Sequence, residues 1–189
     1  MEGMGVMKKI LLLGSAGYVK DWYAEHGARY LADGHALYAM NNSWMIDPAN
    51  LECWIHSEDY FMIPTNAKPS EKQRNGWYEV VRFMQTPFYH GQREGGTMLL
   101  NSICHLLNHC FHSKQQLWLC IAGSDLIYKK DGRDHFYGKG TPDPLIMGID
   151  NLRRDLEMIK VVAESLGHKV LNCGGQAETL LPFARFKLR

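Results

Sequence analysis

The chain of 189 residues has room for one substantial core and too few residues for two full domains, so a single domain over 1–189 is expected. Its 21 basic and 20 acidic residues nearly cancel, which excludes the strongly basic footprint of a nucleic-acid backbone reader. The first apolar run, Ile10 to Leu13, stops at Gly14 after four residues, and residues 1–7 are short and polar. Neither a secretory leader nor a membrane span is expected, and a cytoplasmic location follows. The five cysteines, Cys53, Cys104, Cys110, Cys120 and Cys173, lack the paired spacing of a zinc site and are odd in number, so reduced, buried thiols and no structural metal are expected.

In chain order, the uninterrupted apolar run 10–13 reads as a strand buried on both faces, as in a parallel sheet. A small-residue turn follows, Gly14-Ser15-Ala16-Gly17, and then an amphipathic helix over 19–31 bearing Trp22, Tyr23 and Leu31. Strand, tight turn and helix open a βαβ unit. Strands are predicted at 35–40, ending in Asn41 and Asn42, and at 51–55, ending near Glu58 and Asp59.

The polar stretch 64–77 reads as a solvated excursion, followed by a strand over 78–84 and a loop to Gly95. Gly95, Gly96 and Thr97 introduce an apolar helix with Met98, Leu99, Leu100, Ile103, Leu106 and Leu107, which should be central to packing. A second buried strand covers 117–122 and ends at Gly123, Ser124 and Asp125. The stretch 129–148 has no period and is the second polar excursion, long enough to be a site loop. A helix over 150–166 stopped by Gly167, a short strand over 169–171 and a tail winding back over the sheet complete the chain. The order of elements predicts a Rossmann-like three-layer α/β sandwich with a mostly parallel sheet.

Open parallel sheets bind ligands beyond the carboxyl ends of their strands, and several polar groups stand there. The turn Gly14, Ser15, Ala16 and Gly17 would bring backbone N–H groups and a helix N-terminus to a phosphate, or merely pack strand on helix. It lacks the three spaced glycines of the dinucleotide fingerprint and has no Walker lysine. Asn41 and Asn42 offer donors and acceptors to a base, ribose or phosphate, or cap a turn. Asp59 could take magnesium or a sugar hydroxyl or be solvated, and Asp125, directly after an apolar strand beside Ser124, is the more pointed acid. His135, beside Phe136 and Tyr137 and followed by Gly138, has the composition of a site loop and a side chain that takes protons near neutral pH. His105, His109 and His112 share a helical spacing with no completing acid and read as packing or surface groups.

In their order, the turn 14–18, the strand ending Ala39 to Asn41, the glycine-led helix 95–107, the strand ending 121–125 and the loop 135–138 resemble a broad group of Rossmann-like nucleotide-using proteins. The late segment 170–182 resembles its small phage or prophage members most closely. The group also includes bacterial sialyltransferases that use a cytidine-activated sugar and the archaeal hydroxymethylpterin pyrophosphokinase family. The resemblance implies that Gly14, Ser15 and Gly17 meet a nucleotide phosphate or ribose, that Asn41 helps hold it, and that Ser124 and Asp125 lie at the pocket floor; Ala16, Asn42, Asp59, Gly96 and Thr97 complete the expected binding set, and His135 and Asp125 the expected catalytic pair. Gly17-Tyr18 stands where the group has Pro-Ser.

A sialyltransferase-like reading makes His135 the general base of a nucleotide-sugar-dependent transferase, with no required cofactor or metal and an unknown hydroxyl or glycan acceptor. A pyrophosphokinase-like reading uses Asp59 or Asp125 to organise magnesium and ATP. A third reading is a non-catalytic nucleotide-binding, phage-associated interaction protein. A homo-oligomer is preferred, with neither nucleic acid nor membrane as a partner.

Overall fold

The computed structural model describes residues 6–64, 66–81, 97–127, 135, 149–175 and 178–188. In chain order the elements are β1 (Met7–Leu13), α1 (Val19–Ala32), β2 (Ala36–Met40), β3 (Leu51–His56), α2 (Glu71–Arg74), β4 (Tyr78–Val81), α3 (Met98–His112), β5 (Gln116–Ala122), α4 (Ile149–Ser165), β6 (Lys169–Asn172) and β7 (Ala184–Arg185). Short 3₁₀ turns occupy Asn41–Met45 and Tyr60–Met62.

Ile10 through Leu13 are all completely buried because both faces of β1 are covered. Ile10 and Leu12 pack with α3 and α4, and Leu11 and Leu13 pack under α1, as the alternation of strand side chains dictates. Each such aliphatic side chain contributes about 1.5–3 kcal/mol by leaving water. The result is a Rossmann-like three-layer sandwich, with a sheet in the order β4-β3-β2-β1-β5-β6-β7 and parallel pairing throughout. The apolar stripe of α3 supplies Leu99, Leu100, Ile103, Leu106 and Leu107 to one face, and Thr97 caps the helix by accepting from Leu100 N at 3.1 Å. Among the described residues, no helix is long and apolar enough to cross a membrane.

Two features were not anticipated. Within the solvated stretch 66–77, Ser70 and Gln73 form a reciprocal capping box around α2, and Ala67 N and Asn66 bond to Asn42. Four helical residues are too few to show an apolar period, so α2 reads as polar loop in the sequence. The tail also adds a seventh strand: β7 pairs in parallel with β6, after Leu181 and Phe183 have entered the α3–α4 core. Residues 82–84 of the predicted fourth strand, the loop to Gly95, Gly96 and all of 129–148 except His135 lie outside the described residues.

Candidate functional site

The strand order reverses at β1, with β2 on one side and β5 on the other, so the switch point lies between the carboxyl ends of β1 and β5. The two chain segments leaving those ends are joined by Gly14 N donating to Ala122 O at 2.8 Å and Ala16 N to Gly123 O at 2.9 Å. The approach is close enough that a Cβ on Gly14 would stand 1.9 Å from Ser124 Oγ and 2.2 Å from Gly123 O, so only glycine fits. Gly123 is held at φ +78° against Val19, the first residue of α1. The Gly14 and Ala16 amides are therefore committed to the fold, and donors for an anion must come from other positions of the turn and the first turn of α1.

His135 comes to this turn from the second excursion. Its Nδ1 lies 2.8 Å from Ser15 Oγ, and its backbone forms an antiparallel bridge with Ala16. The turn and the histidine are thus one assembly, although 120 positions separate Ser15 from His135.

Asp125 is buried beside them. Its Oδ2 accepts the Tyr18 hydroxyl at 2.6 Å, and that hydroxyl in turn accepts from Gly123 N at 3.2 Å. Burial pushes the Asp125 carboxyl above the usual carboxylate range, opposed only in part by hydrogen bonds from Tyr18 and Thr179 and by the charge of Arg185. Burial and the neighbouring carboxyl likewise raise the Tyr18 phenol. Thr179 also bonds Asn172 Nδ2 at 3.2 Å, and Leu180 N donates to Asp125 O at 3.0 Å, so the segment leading to β7 braces the acid.

The other candidates take different places. Asn42 is consumed by the fold: its Oδ1 accepts from Tyr60 Oη and Ala67 N, and its Nδ2 donates to Asn66. Asn41, at the carboxyl end of β2, sits at φ +46°, and its Oδ1 is buried with no hydrogen-bond partner among the described residues. Asp59 is exposed, its carbonyl accepting Met62 N in the 3₁₀ turn. Thr97 serves as the α3 cap. The ends of β3 and β5, which precede Asp59 and Asp125, are separated by three strand spacings, roughly 14 Å. Among the described residues, no group of three or more His, Cys, Asp or Glu side chains is placed to hold a metal ion.

Sequence reasoning gave no role to the Tyr18 side chain or to Leu126. Leu126, directly after Asp125, is buried at φ +60°, a conformation that a branched side chain adopts only under constraint. Asn41 and Leu126 therefore both store backbone strain at the carboxyl edge of the sheet. Comparisons with models of protein families, with curated proteins and with solved structures give no match.

Proposed function

We propose that the chain is a nucleotide-sugar-dependent glycosyltransferase, with its site at the carboxyl ends of β1 and β5. The observation that carries this reading is the 2.8 Å contact between Ser15 Oγ and His135 Nδ1, which fixes an imidazole at the strand-order switch point. A histidine so oriented can take the proton of an acceptor hydroxyl as its oxygen attacks the anomeric carbon and the bond to the nucleotide phosphate breaks. The leaving phosphate would be met by the field of the α1 N-terminus, the 14-residue helix that follows the turn. Asp125, buried and braced by Tyr18, suits recognition of a sugar hydroxyl better than of a phosphate, which its charge would repel. Asn41, held at positive φ with a buried side-chain oxygen that has no hydrogen-bond partner among the described residues, supports a ligand-facing edge at β2.

The test begins with calorimetry against CMP, UDP, GDP, ATP and their common sugar conjugates, with and without magnesium. Selective binding of one nucleotide and its sugar conjugate is expected, together with slow donor turnover. His135→Ala should retain donor binding and lose turnover by roughly 10²–10⁴-fold. Unchanged turnover in that variant removes the assigned base. Magnesium-dependent release of AMP from ATP replaces the reading with pyrophosphoryl transfer, and no binding at all replaces it with an interaction role.

A further inference from the structure

Ser15 stands two residues after β1 and four before α1, in the turn at the strand-order switch point. A hydroxyl on such a strand–turn–helix corner is presented at the carboxyl edge of the sheet, where parallel sheets meet their substrates. The corner is held in place: Gly14 N and Ala16 N bond across to Ala122 O and Gly123 O, and the Ala16 backbone bridges to that of His135. These ties bring Ser15 Oγ to 2.8 Å from His135 Nδ1, with both residues half-buried rather than sealed in the core. With the ring proton on Nε2, Nδ1 accepts the hydroxyl proton of Ser15.

We propose that Ser15 is itself a nucleophile and that the chain hydrolyses activated carboxylic esters through an acyl-Ser15 intermediate. A serine hydroxyl is a weak nucleophile until a base takes its proton, and an imidazole at hydrogen-bond distance is a base so placed. In the first step Ser15 Oγ attacks the ester carbonyl carbon while His135 Nδ1 takes the hydroxyl proton. The bond from that carbon to the leaving oxygen breaks, and the proton passes from His135 to the departing alcohol. In the second step His135 takes a proton from water, the water oxygen attacks the acyl carbon, the bond to Oγ breaks and the proton returns to Ser15. One ester and one water become one carboxylic acid and one alcohol.

Both steps pass through a tetrahedral carbon bearing a negative oxygen, which needs donors already in place. The Gly14 and Ala16 amides are spent on the neighbouring segment. Those of Gly17 and Tyr18 are not so spent among the described residues, and they head the 14-residue α1, whose N-terminal field favours an anion. Gly17 is exposed and carries no side chain to cover the hydroxyl. The activity uses the Ser15–His135 pair and no nucleotide, so it stands apart from the transferase reading.

The full chain, incubated with a fluorophosphonate in the absence of nucleotide, then digested and mapped by mass spectrometry, tests this. An adduct on the peptide that carries Ser15 is expected, formed roughly 10²–10⁴-fold more slowly in His135→Ala. With p-nitrophenyl acetate, a burst of nitrophenolate equal to the amount of chain should precede slower turnover, and Ser15→Ala should lose it. The labelling is read on the parent chain, so its outcome does not depend on either variant folding. An unlabelled Ser15, an adduct on another residue alone, or ester hydrolysis that is the same in Ser15→Ala would each overturn the proposal. An adduct on Ser15 in a chain that binds no nucleotide keeps this activity and removes the transferase reading, and nucleotide-sugar turnover with Ser15 unlabelled does the reverse.

Discussion

Gly174 stands so close to Tyr18 that a Cβ on the glycine would fall 2.3 Å from the phenolic oxygen and 3.2 Å from Asp125 Oδ1. The hydroxyl cannot retreat without giving up both Asp125 and the Gly123 amide. The Gly174→Ala protein should therefore lose about 1–3 kcal/mol of stability by overpacking. Urea unfolding should show a smaller loss when the same change is made in Tyr18→Phe, where the clashing oxygen is absent. Equal losses in both backgrounds would place the clash elsewhere.

Asp125 is held at a cost. Its folded-state pKa is raised by burial, so as pH climbs through the ordinary carboxylate value, the folded protein resists an ionisation that the unfolded chain accepts, and stability falls. Asp125→Asn removes this effect and keeps an acceptor for the Tyr18 hydroxyl. Relative to the parent, the variant should gain stability between about pH 3 and pH 7, measured as the difference in urea midpoints at the two pH values. A gain that is the same at both would mean that ionisation of Asp125 is not what destabilises the fold.

Glu79 works in the opposite sense. Burial opposes its charge, yet hydrogen bonds from His56 Nε2 at 2.8 Å and Arg74 Nη2 at 2.8 Å outweigh it and hold the carboxyl below its usual value. Its contribution is present at neutral pH and disappears as acid protonates the folded form, below about pH 4.5. Glu79→Gln should cost about 1–2 kcal/mol at pH 7 and little at pH 3, read by chemical denaturation.

His168 is buried, and its Nδ1 accepts Leu117 N at 3.1 Å, a role open only to the unprotonated nitrogen. Burial lowers its pKa, as it does for His35. A base with a depressed folded-state pKa stabilises above its unfolded value of 6.5 and loses that contribution as pH falls below it. Thermal midpoints should drop between pH 7 and pH 5, and His168→Asn, whose amide oxygen can take the Leu117 bond, should flatten part of the drop. An identical pH slope in the variant would assign the acid sensitivity elsewhere.

The sheet was largely legible because its signals are local. Ile10 to Leu13 form an unbroken apolar run, and the spacing of Leu99, Ile103 and Leu106 marks one face of α3. Asp125 could be singled out from its position after a buried strand. Its pairing with Tyr18 could not, since a tyrosine at the head of a helix looks like any other aromatic until the chain closes over it. The same holds for Ser15 and His135, whose contact depends on a loop path that carries no periodic signal. β7 was hidden by its length: Ala184 and Arg185 are strand only because β6 offers an edge.

That last segment crosses the whole thickness of the molecule. Leu181 and Phe183 lie in the α3–α4 core, β7 passes along the sheet edge, and Phe186 and Leu188 pack on the α1 side, with Phe186 against Trp118 at 5.7 Å between ring centroids. Neither layer can melt without pulling on a strand shared with the other. Fluorescence of the tryptophans gathered on the α1 side and the helical signal dominated by α3 and α4 should therefore report one coincident unfolding transition, the two faces behaving as a single cooperative unit.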